Sequence, residues 1–179
     1  MNIVHVNTYD KGGGAEIVAM QFLDYQQSSV LVVKTASLNH QRVRELPKYR
    51  KDRFFHFVDQ LLWKIGIHKK FKRIFFFEDE CNDTYAKLAA LSEYQMADII
   101  HLHNLHGGYF DLTALRKIAK EKKIVWTLHD MWSMTGGEAY TFDNENYKAA
   151  IAYTPFTDQY PLRNSAIDRR QHFMDLKKK

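Results

Sequence analysis

The residues of this chain best suited to chemistry are the pair His129-Asp130 and the triplet Gly12-Gly13-Gly14. An imidazole just after a buried strand projects into a crevice, where it can hydrogen-bond a sugar hydroxyl or a phosphate. A carboxylate beside it can orient the ring or hold nearby backbone N–H groups. Three glycines opening a helix lack Cβ atoms, so the backbone can come close to a ligand. The N–H groups of the first turn and the positive end of the helix dipole then point toward it. A phosphate or a hydroxyl-rich ligand suits such a turn, and so does no ligand, because a tight βα connection asks for the same residues. The triplet is not G-x-G-x-x-G. Lys34 and Thr35 follow Val33, where an acidic partner would mark dinucleotide binding.

His101, His103 and His106 add three more imidazoles, and H-x-H on a strand puts two of them on one face. With His129 and Asp130 they form a set that a metal-dependent hydrolase could use. No second carboxylate or cysteine set flanks them, and polar groups satisfied at strand ends are the plainer account. After His129-Asp130, Met131, Trp132 and Met134 supply an apolar floor, and an indole suits stacking on a sugar ring. Thr135-Gly136-Gly137 gives a second turn open to close approach.

These residues need a scaffold, and the sequence describes one. Ile3–Asn7 is β-branched and ends in turn residues, which predicts a strand. Ala15, Val18, Ala19, Phe22 and Leu23 then fall at helical spacing. Val30–Val33 is apolar without alternation, as in a parallel strand covered on both faces. Asp98–His103 and Ile124–Leu128 predict two further strands, with a helix between them capped by Asp111 and carrying Leu112, Leu115, Ile118 and Ala119 inward. Two βαβ units predict an α/β fold with a doubly wound, mostly parallel, Rossmann-like sheet. In such sheets ligands bind at the carboxyl ends of the strands. There the fold gathers residues 8–16, 102–109 and 129–137.

The middle of the chain is less regular. Phe54–Ile67 suggests an amphipathic helix, Ile74–Phe77 a short strand or buried segment, and Asn82 or Asp83 a helix cap. Residues 141–179 suggest a loop-rich segment with a final helix over Asp168–Lys178. The chain of 179 residues suits one domain, with 45% hydrophobic and 26% charged residues. One cysteine, Cys81, forms no internal disulfide and fits a reducing cytoplasm. No run approaches the ~20 apolar residues of a membrane span. The net charge of +5 is concentrated between Arg42 and Arg73, a segment that could meet phosphate, anionic lipid or nucleic acid, or simply face solvent.

Taken together, MNIVHVNTYDKGGGAE (Met1–Glu16), ADIIHLHNLHGGYF (Ala97–Phe110) and VWTLHDMWSMTGG (Val125–Gly137) resemble the N-terminal domain of family 4 glycosyltransferases. The resemblance covers about the first 140 residues. It implies a GT-B enzyme with two Rossmann-like domains, of which residues 1–140 would be the acceptor-side one and residues 141–179 its continuation, an incomplete single GT-B N-terminal domain. The implied reaction is retaining transfer of a hexose from a nucleotide-sugar donor, without a cofactor or an obligatory metal. The implied setting is bacterial surface polysaccharide synthesis on a glycan or lipid-linked acceptor. His129 would contact the donor sugar, with Asp130 beside it. Gly12, Gly13, Gly14, Glu16, His103, Asn104, His106, Gly107, Trp132 and Gly136 would line the diphosphate and acceptor region. The segment Arg42–Arg73 would face an anionic membrane from the cytoplasmic side, with no nucleic acid among the partners.

The chain departs from the family in two places. Relatives with this H-D-M-W string continue into a cysteine-rich loop, where Ala149–Pro155 has none, and no E-x₇-E pair in a suitable context follows residue 140. The expectation is therefore half of a transferase, inactive alone, lacking the donor-gripping domain, and prone to dimerise through an uncovered sheet edge. A metal-dependent hydrolase and a non-catalytic interaction module are the two alternatives.

Overall fold

The computed structural model describes residues 1–48, 61, 64, 83–141, 145, 148 and 170–178. The expected elements over Phe54–Ile67 and Ile74–Phe77 lie almost wholly outside these residues, as do Cys81, the Ala149–Pro155 stretch and all of the basic segment beyond Lys48 except Lys64. The chain packs as two compact units. One comprises Met1–Pro47 with Glu78–His129, the other Lys48–Phe77 with Asp130–Lys179.

The first unit is built on five parallel strands: β1 (Ile3–Tyr9), β2 (Ser29–Thr35), β3 (Val43–Glu45), β4 (Ile99–Leu102) and β5 (Lys123–Trp126). Their order is β3-β2-β1-β4-β5. The expected mostly parallel sheet is thus wholly parallel among the described residues. Helix α1 (Gly14–Tyr25) connects β1 to β2. Helices α2 (Thr84–Ala89) and α3 (Ser92–Met96) precede β4, and α4 (Thr113–Glu121) joins β4 to β5. The chain moves outward from β1 on one side, then resumes on the other at β4. Right-handed crossovers in opposite directions put their helices on opposite faces of the sheet, which is the doubly wound Rossmann-like arrangement. The order reverses between β1 and β4, so their carboxyl ends border the crevice where such sheets bind ligands.

Register decides what each face carries. Val4 pairs with Ile100 and Val6 with Leu102, while His5 pairs with His101. Neighbours in register point to the same side, and successive residues alternate. One face of the two central strands is therefore Val4, Val6, Ile100 and Leu102, all buried. The other is His5, Asn7 and His101, followed by His103, and these are buried too. On the α1 side the sheet is apolar only toward β2 and β3, where Ala19 and Leu23 pack with Leu31, Val33 and Val43.

Three local details differ from the sequence reading. β3 arises within the basic segment, and Arg44 within it and Arg42 just before it are both tied into the fold. The Arg42 guanidinium donates to the carbonyls of Leu23 and Gln26 at 2.5 and 3.0 Å, at the carbonyl-rich end of α1. Arg44 pairs with Glu93 at 2.8 Å. Asp111 acts at the start of α4 from one residue before the N-cap Leu112, its Oδ1 accepting from both the backbone N–H and the hydroxyl of Thr113. β5 ends at Trp126, so His129 lies three residues past the strand rather than directly at its end.

In the second unit, Met131 N–H donates to Ala139 O at 2.9 Å, closing a loop over residues 131–139. Inside it the Thr135 hydroxyl donates to Glu138 O and accepts from Glu138 N–H. A helix α5 spans Arg170–Lys178, within the expected Asp168–Lys178. Among the described residues no helix is long and apolar enough to cross a membrane.

Candidate functional site

The loops after β1 and β4 are laced together at the carboxyl edge of the sheet. Asn104 N–H donates to the Asn7 side-chain oxygen at 3.1 Å. The Thr8 hydroxyl lies within hydrogen-bond reach of the carbonyls of Asn104 and His106, at 3.2 and 3.0 Å. The Tyr109 hydroxyl also donates to Asn104 O at 2.7 Å, and burial pushes its ionisation well above the usual phenol range. Lys34 Nζ reaches Gly107 O at 2.6 Å. Gly107 sits at φ +101, and a Cβ there would come within 3.1 Å of the Thr8 methyl, so the close approach requires glycine. The structure therefore brings Asn104, His106 and Gly107 against the end of β1.

The glycine turn is exposed at Gly12, Gly13 and Gly14. Gly13 is the N-cap of α1, with no side chain to satisfy the first-turn N–H groups. Glu16, in the first helical turn, folds back over the turn. Its carboxylate would lie 3.3 Å from a Cβ at Gly13 and 3.6 Å from one at Gly12, whereas nothing lies within 4 Å at Gly14. A buried acid at a helix N-terminus is favoured by the dipole. It also places a negative charge on the glycine turn, which favours a hydroxyl-bearing ligand over a bare phosphate beside Gly12 and Gly13.

The histidines form a connected row. His5 Nδ1 lies 3.2 Å from His103 Nε2, and His103 Nδ1 lies 2.9 Å from His129 Nε2. At the far end His5 Nε2 lies 3.1 Å from Gln26 Oε1. His101 stands beside the row with its Nε2 2.7 Å from the Thr127 hydroxyl. Phe22 of α1 packs on the rings of His5, His101 and His103. Burial and the neighbouring imidazoles pull His5 down to about 4 and His103 to about 2, and burial lowers His101 as well. All three are neutral at pH 7. His129, half-buried, is the outermost member of the row.

His5, His101 and His103 offer ring nitrogens within 4.8 Å of one another, a spacing a metal ion would accept. The trio shares His101 and His103 with the set expected from the sequence and has His5 in place of His106, His129 and Asp130. Both nitrogens of His5 and of His103 and the Nε2 of His101 are already engaged, with each other, with Gln26, with Thr127 and with His129. A metal would have to break these contacts to bind. His103, expected in the ligand-binding region, is 1% exposed and sits between two other histidines.

His129 closes the first compact unit and Asp130 opens the second. Within the second unit, Asp130 Oδ1 accepts from Trp132 N–H at 2.8 Å. Trp132 is buried, and Lys177 Nζ lies 3.5 Å from its ring centroid while donating to Trp132 O at 2.5 Å. One indole face is thus covered by an ammonium. Gly136 is buried in the Thr135–Glu138 turn.

Sequence reasoning missed His5 and Gln26. The signal for His5 was present: a histidine in the first strand, flanked by apolar residues as His101 is in the fourth. Only the register shows that the two are neighbours.

Over 70 residues the chain is 33% identical to the "Putative colanic acid biosynthesis glycosyl transferase WcaC" of Escherichia coli (strain K12), a match covering 35% of this chain and 17% of that protein. The chain is thereby related to a glycosyltransferase. It spans much less than two thirds of that relative's length. No protein-family model matches the chain, and no solved structure does.

Proposed function

We propose that this chain is the acceptor-side domain of a GT-B, family 4 glycosyltransferase acting in surface polysaccharide synthesis. The observation that carries the reading is the resemblance to a colanic acid glycosyltransferase in a chain whose β1 and β4 loops close on one another at the switch point of a parallel sheet. The substrates are a nucleotide-sugar donor and a glycan or lipid-linked acceptor. His129 contacts the donor sugar. Gly14, which Glu16 leaves uncovered, lies nearest the diphosphate, and Gly12, Gly13 and Glu16 take hydroxyls. Asn104, His106 and Gly107 shape the acceptor side. Asp130, Trp132 and Gly136 hold the loop that follows His129. Transfer proceeds with retention and needs no metal, because stabilisation of the leaving diphosphate falls to groups of a donor-side domain. The 179-residue chain alone binds but does not turn over. Arg42 and Arg44 are committed within the fold, so contact with an anionic membrane rests on the remaining basic residues up to Arg73.

The test is titration of ¹⁵N-labelled chain with UDP-glucose and UDP-galactose, read by amide shifts, alongside assays for sugar transfer and nucleotide-sugar hydrolysis. Saturable shifts at Gly14 and His129, with no turnover and no change on adding EDTA, are expected. Absence of shifts at these positions, or robust turnover by the isolated chain, would overturn the proposal.

A further inference from the structure

Three imidazoles in a row pose a counting problem. Each N–H···N link needs one proton, supplied from one side only. His5, His103 and His129 are joined by two such links, at 3.2 and 2.9 Å. When all three rings are neutral, only two arrangements satisfy both links: every ring protonated on Nε2, or every ring protonated on Nδ1. Any other pattern leaves two protons, or two lone pairs, facing each other in a buried place, a penalty of about 1–3 kcal/mol for the lost bond. The row therefore switches as one body, and whatever holds its inner end sets its outer end.

The inner end is Gln26. It is the C-cap of α1, its N–H donating to Phe22 O at 3.0 Å, and its own carbonyl accepts from Arg42 at 3.0 Å. Its backbone is thus held from two sides, and its Oε1 faces His5 Nε2 at 3.1 Å. An amide oxygen only accepts. His5 then carries its proton on Nε2 and accepts from His103 through Nδ1. His103 in turn carries Nε2–H and accepts from His129 through Nδ1. We propose that the relay Gln26–His5–His103 is a positioning device that fixes His129 as the Nε2–H tautomer, its Nδ1 keeping the lone pair. Resting on the transferase reading above, the relay holds the His129 ring in one orientation and one protonation pattern, its Nε2–H committed to His103. The depressed basicity of His5 and His103 keeps the inner rings neutral, as the counting requires.

Two-bond ¹H–¹⁵N spectra of histidine-labelled chain at pH 7 read each tautomer directly, and coupling across an N–H···N bond reports the link itself. In the native chain, His5, His103 and His129 should each show one Nε2–H pattern, with coupling between His103 Nδ1 and His129 Nε2. Gln26→Lys replaces the acceptor with a donor and should reverse the row, so that His129 exchanges its pyrrole-type and pyridine-type nitrogens. Gln26→Glu keeps an acceptor and should leave the native pattern. A mixture of tautomers at His129 in the native chain, or an unchanged His129 in a folded Gln26→Lys variant, would overturn the proposal. Should that variant fail to fold, the native coupling and the Gln26→Glu spectra decide alone. No ligand is needed, so failure of the relay and failure of sugar binding are separate results.

Discussion

The two faces of β1 and β4 are equally buried and chemically opposite. Val4, Val6, Ile100 and Leu102 line one, while His5, Asn7, His101 and His103 line the other, none of them more than 6% exposed. Alternation in a strand usually separates core from solvent. Here it separates an apolar core from a polar one. The apolar face is held by area and packing, which are indifferent to pH and forgiving of direction. The histidine face is held by directed bonds that require a particular protonation state, and each ring depends on the next. Such a face is costly to build, because every buried nitrogen must find a partner. It leads from the end of α1 to His129 at the carboxyl edge. The structural burden lies on one side and the control of chemistry on the other.

The strongest break of this contrast is on the apolar side. Leu102→Ala removes a fully buried side chain from a central strand and should cost about 2–5 kcal/mol, the range of cavity-forming substitutions. Urea unfolding followed by circular dichroism measures it, and the loss should be the same at pH 5 and pH 8. A loss that varied strongly with pH would mean that the two faces are not independent.

On the histidine side the expected signature is pH itself. His5 titrates near 6.5 when unfolded and at about 4 when folded. Between these values the unfolded chain binds the proton and the native chain does not, so stability is full above pH 6.5 and falls as the pH drops toward 4. The shift corresponds to about 3 kcal/mol for His5, and His103 extends the fall toward pH 2. His101 and His129 are the titratable groups facing the pair, and protonating either deepens the loss. The double variant His5→Leu/His103→Leu should flatten the profile; at pH 7 it removes both ends of the His5–His103 bond but takes a partner from Gln26 and from His129, at a cost of about 1–3 kcal/mol for each group left unsatisfied. A double variant as acid-sensitive as the native chain would refute this account.

How much of this was readable beforehand follows the same division. The β1-turn-α1-β2 unit and the strands around His101 and Val125 were legible because each is a local pattern: an apolar run, a turn, a helical stripe. The H-x-H spacing was legible for the same reason. β3 was hidden because Val43-Arg44-Glu45 is mostly charged, and its pairing with Leu31–Val33 is a fact of register. Arg42 and Arg44 looked like part of a basic surface until the end of α1 and Glu93 were found beside them. His5 and Gln26 were invisible as site residues because their partners lie 98 and 21 positions away. Local patterns gave the walls of the site, while the bonds that couple them are non-local.

The smallest effect concerns the glycine turn, the open counterpart of the locked histidine row. Gly14 occupies the first position of α1, has no strained φ, and an added Cβ would meet nothing within 4 Å. For the fold alone, alanine is the better residue there, because glycine loses more backbone entropy on entering a helix. Gly14→Ala should therefore raise stability by up to about 1 kcal/mol, seen as a small upward shift in the urea midpoint. A glycine at this position leaves room for a ligand to come close to its backbone. The same substitution should then weaken nucleotide-sugar binding in the ¹⁵N titration, because the methyl group stands where the diphosphate would approach. Higher stability with unchanged binding would reduce the turn to a tight βα connection and leave His129 as the sole contact to the donor on this wall.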